Sequence, residues 1–186
     1  MEAARGDRRR TDTRRRLLRA ADDLFRRRGI GSVGIAEVCR AAGVTKGVFT
    51  HHFPGGKDEL VGAVVARNGA LVRTALERSA GRAGPAPELV EGLFRGYARA
   101  MRAGGVDYGC PVAAGVVDAS ARSPATRRAA GDAFASWCRT LAARCPDDVA
   151  ELAVASLEGA ILLARAADDP ALVTRVGRTL RGLLDA

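Results

Sequence analysis

The 186-residue sequence predicts an all-α protein of about nine helices, a three-helix head ending in a helix-turn-helix and a larger helical body. Three observations predict it. Apolar residues recur three and four apart in every long segment, the period of a helix buried on one side. No stretch alternates apolar and polar residues as a half-buried strand does. Glycine and proline fall between the periodic segments, where they end one helix and start the next.

Met1 to Arg10 is charged and lacks periodicity, which predicts a flexible arm. A helix follows from Thr11 or Asp12 to Arg28, with Leu17, Leu18, Ala21, Leu24 and Phe25 along one side. Arg26, Arg27 and Arg28 suit the negative end of its dipole, and Gly29 stops it. The second helix carries Ile35, Val38, Ala41 and Ala42 on one face and ends at Gly43, a residue that accepts the left-handed conformation. Thr45 is a good cap for a third, Lys46 to about His52. In it Phe49 and Phe53 face inward, leaving Lys46, Gly47, Val48, Thr50 and His51 outside. A short helix with a small, polar, basic outer face, joined to a packed helix by a glycine corner, suits a DNA major groove.

Beyond Pro54-Gly55-Gly56, a long helix is predicted over Asp58 to about Ala80, with Lys57 at its start. GRAGPAP, residues 81–87, breaks the chain. Helices are then predicted over 88–103, 112–120, 124–144, from Pro146 to about 167, and from Pro170 to near Leu184.

The formal charge is +9. The first 60 residues hold 14 basic and 8 acidic residues against 16 and 13 in the rest, so the excess concentrates where the third helix lies. Arg8, Arg9 and Arg10 suit DNA backbone or minor-groove contacts, and equally a solvated tail. Cys39, Cys110, Cys138 and Cys145 form no Cys-x-x-Cys pair and the last three have no histidine near them, so no metal is expected; buried free thiols in a reducing cytoplasm fit better. No apolar h-region follows the arginine-rich start and no apolar run reaches spanning length, so neither a signal peptide nor a membrane partner is expected. Catalysis would need Cys110 to meet His51 or His52, which belong to the third helix beyond the long connector. No catalytic residue and no cofactor is expected.

TRRRLLRAADDLFRRRG, VCRAAGVTKGVFTHHF and KDEL, in that order and spacing, resemble the DNA-binding domain of the TetR family of transcriptional repressors. GCPVAAGVVDAS, with FASW and LEGAILLARA downstream, resembles the ligand-binding domain of the LmrA/YxaF-like subgroup. The resemblance implies a DNA-binding domain over residues 1–57 and a ligand-binding and dimerisation domain over 58–186. It implies a homodimer on a double-stranded DNA operator, released by a small-molecule effector of apolar or aromatic character. Thr45, Lys46, Gly47, Val48, Thr50 and His51 are then expected at the base edges and nearby phosphates, with His52 and Lys57 at the backbone. The family commonly has tyrosine where Thr50 stands, which puts that phosphate contact in question.

Phe94, Tyr97, Met101, Tyr108, Val116, Phe134, Trp137 and Leu141 are expected to line the effector pocket, or else to be ordinary core. Leu152, Ser156, Leu157, Ala160, Ile161, Val176, Leu180 and Leu183 are expected at the dimer interface, or else to complete one subunit's core. From another class, a helical protein–protein adaptor whose basic head binds acidic partners fits the composition too; preference for operator over scrambled duplex at fixed salt separates the two.

Overall fold

The computed structural model describes residues 2–81, 85–105, 107–119, 121 and 123–185, the side chains of 2–9 excepted. Among these the chain is all helical. The elements are α1 (Glu2–Arg28), α2 (Ile35–Ala42), α3 (Lys46–His52), α4 (Gly56–Ala80), α5 (Ala86–Gly104), α6 (Pro111–Ala114), α7 (Pro124–Ala142), α8 (Asp147–Ala166) and α9 (Ala171–Leu184). A π-helical turn, Gly115–Ala119, continues α6.

Three boundaries differ from the sequence expectation. Residues 2–10 are helical where a flexible arm was expected. Once α1 is nucleated by its packed half, each further Ala or Arg adds a hydrogen bond at little cost, with no apolar period needed. The side chains of Arg8 and Arg9 lie outside the described residues. The long helix starts at Gly56, two residues early: the Glu59 carboxylate reaches back to accept from Gly55 N–H at 2.8 Å, capping a turn that closes through Gly56 N–H to Phe53 O at 2.9 Å. The 112–120 helix is split between α6 and the π turn. Gly115 lies so close to α4 that a Cβ there would stand 2.7 Å from Val65 Cγ2.

One continuous core runs through the molecule. Around α1, Leu17, Ala21 and Phe25 pack with Ile30, Val33, Val38, Phe49 and Phe53. In the body α4 crosses α7 and α5 lies along α9, the two most extensive helix pairings. Both crossings need a glycine. A Cβ at Gly69 would come 2.6 Å from Ala133 Cβ, and one at Gly177 would come 2.5 Å from Phe94 Cβ. Trp137, fully buried, donates its indole N–H to Gly69 O at 2.9 Å and meets Phe134 edge-on.

Candidate nucleic-acid interface and effector cavities

The corner between α2 and α3 is built from the residues the sequence singled out. Gly43 is left-handed, with φ 63° and ψ 44°, and Val44 N–H donates to Cys39 O at 2.9 Å, which closes the carbonyl end of α2. Arg16 of α1 donates to Ala42 O and, at 3.0 Å, to Gly43 O, tying the corner to the first helix. Thr45 Oγ1 accepts from Val48 N–H at 3.4 Å as N-cap of α3.

Two aromatic rings hold α3 down. Phe49 and Phe53 are buried and stacked, with centroids 5.6 Å apart, and the Arg14 guanidinium lies 5.1 Å from the Phe53 ring centre. The other face is open. Thr45, Lys46, Gly47, Val48, Thr50 and His51 are all exposed. Nothing but Thr45 Oγ1, at 4.0 Å, comes near a Cβ added at Gly47, so this helix offers a low ridge. Thr50 Oγ1 donates to Lys46 O at 3.1 Å, so its hydroxyl stays close to the helix. His52 is half-buried. Burial, with His51, Arg10 and Arg14 nearby, holds its imidazole below the ordinary value. With Arg10, Thr11, Arg14 and Arg15 it lines a basic cleft of about 300 Å³ between α1 and α3. Lys57 is half-buried in the first turn of α4, with Nζ 3.5 Å from Gly31 O.

The end of α1 is bonded to the body at three places. Arg26 donates to Gly109 O at 3.0 Å and to Asn68 Oδ1, while Asp22 accepts from Arg26, Arg67 and Asn68. Arg27 donates to Gly104 O. Asp118, on the π turn, accepts from Ile30 N–H at 2.8 Å and Gly31 N–H at 3.3 Å, holding the loop that leads into α2. A single aspartate in GVVDA carries no sequence signal for this role.

The expected pocket residues do not form one pocket. Tyr97 and Tyr108 line a cleft of about 400 Å³ between α4 and α5, with Leu71, Val72, Leu76 and Leu93. Val116 and Phe134 line a different cavity of about 420 Å³ between the π turn, α7 and α8. Phe94, Met101, Trp137 and Leu141 line neither and are core, which corrects the expectation for these four. Large aromatic side chains at helical period read the same from sequence whether they surround a void or fill one.

A similar correction applies to α8 and α9. Leu157, Ala160, Ile161 and Leu180 are buried inside their own subunit and have no surface to give a partner. Ser156 and Val176 are half-buried. The apolar face left open is Leu152, Leu162, Leu163 and Leu183, each more than half exposed. Because α8 is apolar on two sides, periodicity alone does not say which side points inward.

Beside the second cavity lies a polar pair, the buried Cys110 and the half-buried Glu158. Burial pushes the Cys110 thiol up to about 12, so no thiolate forms there at neutral pH. It hydrogen-bonds the Glu158 carboxyl, which burial raises to about 7, with that hydrogen bond and Arg26 acting in the opposite sense. An acid raised in the folded state keeps a proton that the unfolded chain releases. Stability contributed by Glu158 is therefore fully present below about pH 4.5, falls as pH rises from there to about 7, and is flat above. The swing is at most about 3 kcal/mol. Urea unfolding at pH 5 and pH 8 is expected to show Glu158→Gln gaining stability over the parent at pH 8 but not at pH 5.

Comparison with known proteins identifies the lineage. Residues 17–64 match the family of bacterial regulatory proteins of the tetR type, and residues 86–179 match the C-terminal domain of LmrA/YxaF-like transcriptional regulators. The chain belongs to the TetR family. It is a DNA-binding transcriptional regulator of that family. An HTH-type transcriptional regulator of Mycobacterium tuberculosis is 33% identical over 92% of this chain and 93% of its own length. The HTH-type transcriptional regulator LmrA of Bacillus subtilis is 24% identical over 93% and 97%. The regulatory protein TetR of Rhodobacter sphaeroides shares the fold with a TM-score of 0.78 and 26% identity, covering 90% of this chain and 96% of that one. A TetR-family regulator from Agrobacterium tumefaciens shares it at 0.83 and 20% identity, covering 93% and 97%. Among the described residues no helix is long and apolar enough to cross a membrane, and no group of three or more metal-ligating side chains occurs.

Proposed function

We propose that the chain is a homodimeric, cytoplasmic repressor that leaves its operator when a small molecule enters the body. Residues 1–57 read DNA, and residues 58–186 sense the effector and dimerise. The observation that carries the reading is the two-sided character of α3. Phe49 and Phe53 fix it from beneath while Lys46, Gly47, Val48, Thr50 and His51 stand clear of the subunit. Gly47 lets the helix approach base edges, Val48 suits a thymine methyl, and Thr45 and Lys46 suit phosphate or a base edge. His52 at the end of α3, Arg10 across the cleft from it and Lys57 in the first turn of α4 are assigned to backbone contacts. Two copies joined through Leu152, Leu162, Leu163 and Leu183 would present two such helices to successive major grooves.

Effector binding acts through the links between body and head. A molecule seated against the π turn or α5 displaces Asp118, or the loop that Arg26 and Arg27 hold, and with it the orientation of α1 to α3. Release requires only tighter effector binding to the state that does not fit DNA. Asp118→Ala is expected to leave effector affinity unchanged while reducing the effector's power to dissociate the DNA complex, measured by titrating effector into a preformed complex.

Footprinting on the protein's own upstream DNA, followed by titration of the protected duplex and a scrambled one at fixed salt, tests the reading. Equal affinity for both would overturn it. On the protected duplex, Lys46→Ala is expected to weaken binding about tenfold in a gel-shift titration.

A further inference from the structure

The loop from α5 to α6 is clamped to the end of α1 by a reciprocal pair of hydrogen bonds. The Arg26 guanidinium donates to Gly109 O at 3.0 Å, and Gly109 N–H donates to Arg26 O at 3.1 Å. Tyr97 of α5 adds its hydroxyl to the same Gly109 O at 3.4 Å. A Cβ at Gly109 would stand 2.9 Å from the Arg165 guanidinium of α8, so two guanidiniums close on this one residue. Cys110, the next residue, is the N-cap of α6. Its thiol hydrogen-bonds both the Tyr97 hydroxyl and the Glu158 carboxyl of α8. Glu158, Cys110, Tyr97, Gly109 and Arg26 therefore form one polar chain from the body to the head.

The chain has one incomplete member. Glu158 Oε1 is shielded from solvent and accepts no hydrogen bond, the one such side-chain atom among the described residues. A thiol is a weak donor, so the carboxyl is better served by keeping a proton than by carrying a charge. The groups that face it decide what ionisation does. The Cys110 thiol and the Tyr97 phenol are buried and held above their ordinary values, so both stay neutral near pH 7. On the cavity side stand Glu151, a further acid, and Cys138 of α7. Asp118, the acid of the π turn, is engaged with the Ile30 and Gly31 amides. The cation whose charge acts on Glu158 is Arg26, and its guanidinium is the one that holds Gly109.

We propose that the Glu158 proton controls this clamp: with it in place Arg26 stays on Gly109 and the end of α1 is fixed to the body, and without it the carboxylate competes for the guanidinium and the clamp opens. The proton passes to bulk water, and no other covalent bond changes. The proposal rests on the reading of the body as the controller of the head, and it adds a signal that needs no organic effector. Burial raises the Glu158 carboxyl to about 7, so that signal is a rise of pH through neutrality. Loosening α1 worsens the fit of α3 to the operator, so alkaline pH acts toward release.

Hydrogen exchange of the Gly109 amide in the free protein reads the clamp directly, because that amide is one of its two hydrogen bonds. With each rate corrected for intrinsic exchange, opening is expected to be about tenfold more frequent at pH 8 than at pH 6, which the loss of one proton from an acid raised by burial to about 7 allows. Glu158→Gln, a mimic of the proton-holding form, is expected to show the pH 6 level at both values. Arg26→Gln, which lacks the clamp, is expected to exchange fast at both. Operator affinity is then titrated at pH 6 and pH 8 at fixed salt. Protonation of the histidines in the head is common to parent and Glu158→Gln, so the difference between their pH steps belongs to Glu158. The parent is expected to lose up to about tenfold more affinity than the variant. No pH step in Gly109 exchange for the parent, or an equal step in parent and Glu158→Gln, would overturn the proposal. A step in exchange that depends on Glu158, with no matching step in affinity, upholds the clamp and defeats its control of DNA. A protein that binds every duplex alike defeats the operator reading, and the exchange measurement still decides the clamp.

Discussion

Gly47→Glu is expected to abolish operator binding while leaving the fold as stable as before or slightly more so. Position 47 lies in the first turn of α3, beside no atom closer than 4.0 Å to an added Cβ, so the substitution creates no clash. Replacing a helical glycine removes backbone freedom from the unfolded chain, worth about 0.5–1 kcal/mol. A carboxylate in the first turn also favours the helix dipole. The melting temperature should therefore stay level or rise by a few degrees. In the proposed docking the same side chain would meet base edges and phosphates at the ridge that approaches them most closely. It adds bulk where only a hydrogen stood and negative charge against a polyanion, a juxtaposition costing several kcal/mol. Loss of affinity should exceed about a hundredfold. Gly47→Ala, with neither charge nor length, should fall between. A folded Gly47→Glu protein that still selects its operator would show that α3 does not face the groove.

The head was legible because its signals are local. A glycine forced left-handed, a threonine at a cap and two phenylalanines four apart each determine their own geometry from neighbours in sequence. The first turns of α1 carry no such signal, because helix propagation from a packed nucleus leaves no apolar period behind. In the body, the sequence marks which residues are apolar but not which of two apolar sides of α8 is already taken. Leu157 and Leu152 look alike in sequence, and only the position of α7 and α9 separates core from open face. Asp118 and Glu158 were not singled out for the opposite reason. Each is a lone acid on a helical stretch, the ordinary mark of a solvated side. Their roles arise from partners far away in sequence: the amides of Ile30 and Gly31 for one, the Cys110 thiol for the other.

Trp137→Ala should produce the largest loss of stability of any change considered. The indole fills the space where α7 crosses α4, is fully buried, and is tied to Gly69 O at 2.9 Å. Truncation removes its buried area and its hydrogen bond and opens a void. The crossing has little room to close that void, because Gly69 and Ala133 already meet at van der Waals limits. Phe or Trp to Ala changes at such sites cost about 3–5 kcal/mol, a large share of the 5–15 kcal/mol typical of a folded domain. The melting temperature should fall by roughly 10 °C, and the urea midpoint should fall with an unchanged slope, both read at one fixed protein concentration. Trp137→Phe keeps most of the area and loses only the donor, so a cost near 1–2 kcal/mol is expected. If Trp137→Ala costs under about 1 kcal/mol, Phe134 has swung into the space and the crossing is adaptable. The α4–α7 contact would then be a poor candidate for a rigid arm between effector cavity and DNA-reading head. A large cost would fit the proposed coupling, in which α4 and α7 act as one body and the links at Asp118 and Arg26 connect that body to α1.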